Sequence, residues 1–240
     1  MENKQSYYKI LILLILLSVF SIFMVVFRIF FTGQIRFIFM IWNLFLAWLA
    51  FLVSLFFLIR LPSSVLMKLK KNHQKLLDIL LTITAFLIWL FLFPNTFYMI
   101  TDFVHLRTTN EIGVWFDLIL ISSFAVNGLI LGLFSLKILH NFFITHFNRV
   151  FSNLLLCVVI FFTSFGIYLG RFLRWNSWDI LLNPGDMVSD VYERVVNPLA
   201  HPTTYGVTLF LGVFILLVYL VFNAPFQGVA LDQPTKEKNR

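Results

Sequence analysis

Tyr98, Asp102 and His105 stand four and three residues apart, with Thr101 beside them, so on a helix they share one face. A phenol, a carboxylate and an imidazole in one row can pair with a guanidinium, pass hydrogen bonds along or hold a cation. Further on, Arg171 and Arg174 lie three apart in Gly170-Arg-Phe-Leu-Arg-Trp-Asn-Ser-Trp-Asp179. Guanidinium groups so spaced grip a phosphate or carboxylate through forked N–H contacts. Asn95 and Asn176 contribute amides, and Asp117 and Asp179 carboxylates. Together Asn95, Tyr98, Asp102, His105, Asp117, Arg171, Arg174, Asn176 and Asp179 form a candidate ligand-binding set.

Three chemistries suit these residues. An Asp–Arg network would lock helices together and nothing more. A headgroup site would use Arg171 and Arg174 on an anion, with Asn95, Tyr98 and Asn176 adding hydrogen bonds. A metal site would rest on Asp102 and His105 at i, i+3, joined by Asp117 or His201, and would imply a hydrolase or transferase acting on a lipid-linked substrate. Asp-x-x-His alone is a weak metal signature, and His-Glu-x-x-His, Gly-x-Ser-x-Gly, P-loop and Rossmann patterns are absent from the chain. No cofactor is expected. Binding or transport of a polar or anionic, headgroup-like ligand ranks above the metal-assisted enzyme.

The elements that position these residues follow from composition. Of 240 residues 60% are hydrophobic and 12% charged, with mean hydropathy +0.91. Soluble domains carry about 25% charged residues, so lipid must cover this surface. Crossing a bilayer takes about 20 apolar residues per helix, and six runs meet or approach that, near 10–31, 37–59, 76–93, 114–136, 150–169 and 203–222. None alternates as a barrel strand would. The expected fold is all-α: a polytopic bundle of about six spans forming one integral membrane domain over 1–240. The formal charge of +7 sits on Lys and Arg flanking the apolar runs, which indicates loops beside a membrane rather than a nucleic-acid surface. The first run follows Lys4 and Lys9 and reads as an uncleaved signal anchor, with Arg28 snorkelling to the interface.

Counted on alternate sides of six spans, twelve Lys and Arg fall with the two termini and six on the opposite side. The positive-inside rule then places both ends, the basic stretch 62–75 and the tail 223–240 in the cytoplasm. That stretch is also suited to anionic lipid headgroups, although His73, His140 and His146 read as solvated residues of cytoplasmic loops. The candidate set falls outside. Pro94 should break or kink the third span, freeing carbonyls that Asn95 and Thr96 can answer. Gly128-x-x-x-Gly132 and Gly166-x-x-x-Gly170 are small-residue stripes expected to pack spans four and five together, drawing Asp117 towards Arg171. Asn176 and Ser177 can end the fifth helix. Within the outer loop 171–202, Met187, Val188, Val191, Tyr192, Val195 and Val196 recur at helical spacing and predict a short amphipathic helix between Pro184 and Pro198.

The patterns Phe-Leu-Phe-Pro-Asn-Thr-Phe-Tyr-Met-Ile-Thr-Asp-Phe-Val-His-Leu106 and Gly170-Arg-Phe-Leu-Arg-Trp-Asn-Ser-Trp-Asp179 resemble those of a bacterial membrane family catalogued as domain of unknown function 1361. The resemblance runs from roughly the third span to the sixth. It implies the same helical fold, a bacterial cytoplasmic membrane and a candidate site, and it supplies no chemistry.

Overall fold

The computed structural model describes residues 2–60, 72–106, 112–175 and 179–228. Most of the basic stretch 62–75, Asn176 and most of the tail 223–240 lie outside the described residues. The described residues are helical, without strands. In chain order they form α1 (Glu2–Thr32), α2 (Ile38–Arg60), α3 (Asn72–Leu92), α4 (Pro94–Tyr98), a 3-10 helix (Met99–His105), α5 (Val114–His146), α6 (Arg149–Phe172), α7 (Asp179–Leu182), α8 (Pro184–Val196), a 3-10 turn (Pro198–Ala200) and α9 (Pro202–Gly228). Six segments are long and apolar enough to span a bilayer, the third of them bent and running from Gln74 to His105. A multi-pass helical membrane protein follows.

α5 is the hub. α2 packs along it most extensively, and α1, α4 and α6 also lean on it, while α9 covers α6. The apolar interior divides into two halves that both use α5. One gathers Trp89, Phe93 and Phe97 with Leu133, Leu136, Ile160 and Ile215. The other gathers Val25, Met40 and Leu44 with Leu120, Ile121 and Phe124. At 33 residues α5 outruns the apolar run 114–136 and carries His140 with it. His140 is no loop residue. It is buried, with Nδ1 2.7 Å from the Tyr219 hydroxyl and Nε2 3.1 Å from Asn153 Oδ1, which ties α5, α6 and α9 together at that end. His146 likewise ends α5, its Nδ1 2.8 Å from the Phe142 carbonyl.

The break in the third span is a kink followed by tighter winding. Phe93 keeps helical angles and donates to the Trp89 carbonyl at 2.8 Å, but Pro94 has no N–H for the Leu90 carbonyl. Side chains then answer successive carbonyls: Asn95 Nδ2 to Leu92 at 2.9 Å, Thr96 Oγ1 to Phe93 at 2.8 Å and Thr101 Oγ1 to Tyr98 at 2.7 Å. These local bonds favour the i, i+3 winding of residues 99–105.

Both glycine stripes receive this broken segment, so their role differs from the expected α5–α6 contact. A methyl at Gly132 would stand 2.6 Å from Thr96 Oγ1 and 2.9 Å from Phe97 Cζ, and Gly128 faces the Thr96 carbonyl and Met99. On the other side Gly166 faces Pro94, at 3.3 Å from such a methyl, and Gly170 faces the Tyr98 ring, at 3.0 Å. The 94–99 segment is therefore clasped between α5 and α6.

Candidate functional site

The clasp sets the row Tyr98, Thr101, Asp102 and His105 against the end of α6. Arg171 reaches across to all four. Its Nε donates to Thr101 Oγ1 at 2.9 Å, Nη1 to His105 Nε2 at 2.9 Å, and Nη2 to Asp102 Oδ1. Its guanidinium carbon lies 4.3 Å from the Tyr98 ring centroid, a cation–π contact. Arginine has no acceptor, so His105 Nε2 must accept, which puts the imidazole in its neutral Nδ1–H tautomer. Asp102 is fully buried with Oδ2 unpartnered, and Arg171 is 14% exposed. Three of the five guanidinium N–H groups are spent and two remain.

A second buried pair sits beside the first. Arg28 is 1% exposed and does not snorkel. Its Nε and Nη2 fork onto Asp117 Oδ1 and Oδ2 at 2.7 and 3.3 Å, and its guanidinium lies over Phe37 at 4.9 Å. Asp117 therefore serves α1 rather than Arg171. The reason is the clasp: with α4 inserted between the glycine stripes, α5 turns the Asp117 face towards α1. Arg36 completes this end by donating from Nη2 to the His105 carbonyl at 2.5 Å.

Arg174 goes its own way. α6 ends at Phe172, earlier than Asn176 and Ser177 would have ended it, and Arg174 takes the left-handed conformation (φ 62°). That conformation costs an L-residue roughly 1 kcal/mol and lets Trp175 N–H close the helix end on the Leu169 carbonyl at 3.2 Å. Arg171 and Arg174 thus do not share a face, and Arg174 is exposed. Asp179 opens α7, in the connection that follows Trp175. Among the described residues no three His, Cys, Asp or Glu side chains converge as metal ligands. Asp102 and His105 meet on Arg171, Asp117 is taken by Arg28, and His201 lies 3.5 Å from Glu193 at the far end of α8.

A groove of about 510 Å³ lies between α2, α3, α4 and α6 and meets this cluster through Tyr98, the one member of the cluster that lines it. Leu46, Phe91, Phe162 and Phe165 make its walls apolar, while Asn43, Asn95 and Tyr98 present polar groups into it. α8 closes the upper end with Met187 and Val191. It is held there by Trp175 Nε1 on Asp190 Oδ2 at 2.8 Å and by the Tyr205 hydroxyl on the Arg194 carbonyl at 2.7 Å. Arg194 in turn bonds back to the Asp190 carbonyl at 2.6 Å. The opposite face of α8, with Val188, Tyr192 and Val195, is exposed. Arg28, Arg36, Asn43 and the Asp190–Arg194 anchor were not in the candidate set. Only Arg28 and Asn43 carried a signal, as polar residues inside apolar runs.

The class defined by these features is a multi-pass helical membrane protein whose broken third span is clasped beside buried Arg–Asp pairs. The chain belongs to the family described as protein of unknown function (DUF1361), whose family model matches residues 42–218. The match begins in α2, earlier than the third span where the motifs lie, and leaves α1 with its Arg28 outside. No curated protein and no solved structure matches the chain.

Proposed function

We propose that this protein sits in a bacterial cytoplasmic membrane, with both termini in the cytoplasm, and binds an anionic lipid headgroup at its outward end. The charge asymmetry of the loops supports the orientation. One observation carries the binding reading: an apolar groove is lined at one end by Tyr98, and against that ring stands Arg171, a guanidinium only partly neutralised. A purely structural lock would bury both partners of each pair, as Arg28 and Asp117 do. Arg171 instead keeps two donors and some exposure, and Arg174 stands exposed nearby with no partner among the described residues. In this reading Asp102, His105 and Thr101 hold the Arg171 guanidinium in place, and the headgroup anion takes its remaining donors. The hydrocarbon chain lies in the groove, which opens sideways between spans. Binding that only sequesters a lipid and binding that begins a transfer use the same site, which makes the protein a lipid-binding or lipid-transport component.

Native mass spectrometry of the purified full chain tests this. The wild type should retain anionic phospholipid well above its share of the membrane. Arg174→Gln, which disturbs no described contact, should lower that retention several-fold. Arg171→Gln should lower it by about tenfold or more, the loss of a charge-assisted contact. Retained lipid that simply mirrors the bulk membrane, unchanged by either variant, would overturn the reading.

A further inference from the structure

The polar groups inside the groove are ordered by depth, and that order selects a chemical class. Just outside its upper rim are Arg171, 4.3 Å from the lining Tyr98 ring, and Arg174, which precedes the lining Trp175 in the chain. Tyr98 packs on Gly170, level with Arg171, and Pro94–Asn95 pack on Gly166, one turn lower, about 6 Å at 1.5 Å per residue. Phe162 lies a further turn down α6. On α2, Asn43 comes five residues after the helix begins at this same end, about 7.5 Å deep. Arg171 and the Tyr98 phenol thus stand at one level, the two amides lie below them, and further down the walls are hydrocarbon.

Asn43 has no hydrogen-bond partner among the described residues, although it lies within a membrane-spanning helix. Asn95 spends one N–H on Leu92 and keeps the other, together with its carbonyl. The Tyr98 hydroxyl also lacks a partner among the described residues. Unpaired amides at this depth are costly unless a ligand answers them.

We infer that the ligand is an ester-linked anionic glycerophospholipid, with Asn43 donating to an ester carbonyl below the phosphate. This rests on the headgroup reading above and adds what lies beneath the headgroup. In such a lipid, phosphate, ester and chain follow one another in the order of arginines, amides and apolar walls. A polyprenyl phosphate has bare hydrocarbon directly below the phosphate and would leave the amides unanswered. The groove, about 510 Å³ and walled by apolar side chains, takes one acyl chain in this reading. The second chain stays in the bilayer, because the groove's outer edge is formed by lipid-facing Trp42, Phe91 and Phe162, which are 51%, 41% and 62% exposed.

Titration of the full chain, watched by native mass spectrometry, uses four probes: dipalmitoyl phosphatidic acid, its dihexadecyl diether analogue, a polyprenyl monophosphate and dipalmitoylglycerol. The diester should bind about tenfold tighter than the diether, the worth of one hydrogen bond to an otherwise unpaired, half-buried amide. The polyprenyl monophosphate should match the diether. In Asn43→Leu the diester should fall to the diether's affinity while the diether is unchanged. Equal binding of diester and diether to the wild type, both above dipalmitoylglycerol, would overturn this inference and leave the headgroup reading standing. Diester binding no better than dipalmitoylglycerol would overturn both. A preference that survives in Asn43→Leu would overturn the assignment to that residue. Should Asn43→Leu fail to assemble, the wild-type ratio still decides the ester question.

Discussion

Asp117→Asn should destabilise the bundle by about 3–5 kcal/mol, the largest effect expected of any single polar substitution here. Asp117 is fully buried, and its two oxygens hold two of the guanidinium nitrogens of Arg28, itself 1% exposed. The remaining nitrogen, Nη1, has no partner. Removing the carboxylate charge strands a cation against the Phe37 ring, and that contact supplies too little to hold it there. α1 should then separate from α5. Removing both members, as Arg28→Met with Asp117→Leu, takes away the stranded charge and should cost much less than either single change, because an apolar pair of similar volume replaces an ion pair with little loss. Reversible unfolding of the four proteins in mixed micelles measures the difference. A double variant as unstable as the sum of the singles would mean that the two side chains do not share this site.

Gly132→Leu should be of comparable severity by a different route. A single methyl there would already stand 2.6 Å from Thr96 Oγ1 and 3.0 Å from Thr96 Cβ, and the extra carbons of leucine have no space to enter. Overpacking of this kind costs typically 1–3 kcal/mol and more where backbone must separate. The displaced segment carries Thr101, Asp102 and His105 away from Arg171, so lipid retention should fall along with stability. Gly206→Ala in α9 is the control. Nothing lies within 4 Å of its added methyl, and alanine favours helix over glycine by up to about 1 kcal/mol. The same unfolding measurement should show it neutral or slightly stabilising. If Gly132→Leu matched it, the clasp would not be a close backbone contact.

Much of the architecture was legible in the sequence, because it follows from local patterns. Six apolar runs of bilayer length give six spans, Pro94 gives the kink, and the Met187–Val196 periodicity gives the amphipathic helix on α8. The face shared by Tyr98, Asp102 and His105 also survives, although its winding is 3-10 rather than α. What was not legible depends on which helices become neighbours. Arg28 and Asp117 are 89 residues apart, and spacing says nothing about such a pair. Each glycine stripe announced a close contact, but the partner expected for it, the other stripe, was not the one it took. Since both chose the 94–99 segment, Asp117 ended away from Arg171. Arg174 parted from Arg171 because a left-handed residue ends the helix, and arginine gives no hint of that conformation. His140 was misplaced because α5 continues past its apolar run, carried by contacts with α6 and α9 that a hydropathy profile does not contain.

The polar end and the groove matter together only if a lipid occupies both. Photo-crosslinking with a phosphatidic acid that carries a diazirine midway along one chain tests this most directly, using the full chain in nanodiscs followed by peptide mapping. The expected result is adducts concentrated at Leu46, Phe91, Phe162 and Phe165, the apolar walls below Arg171. Label spread over freely exposed positions such as Phe23 on α1 and Phe210 on α9, with no enrichment in the groove, would contradict it.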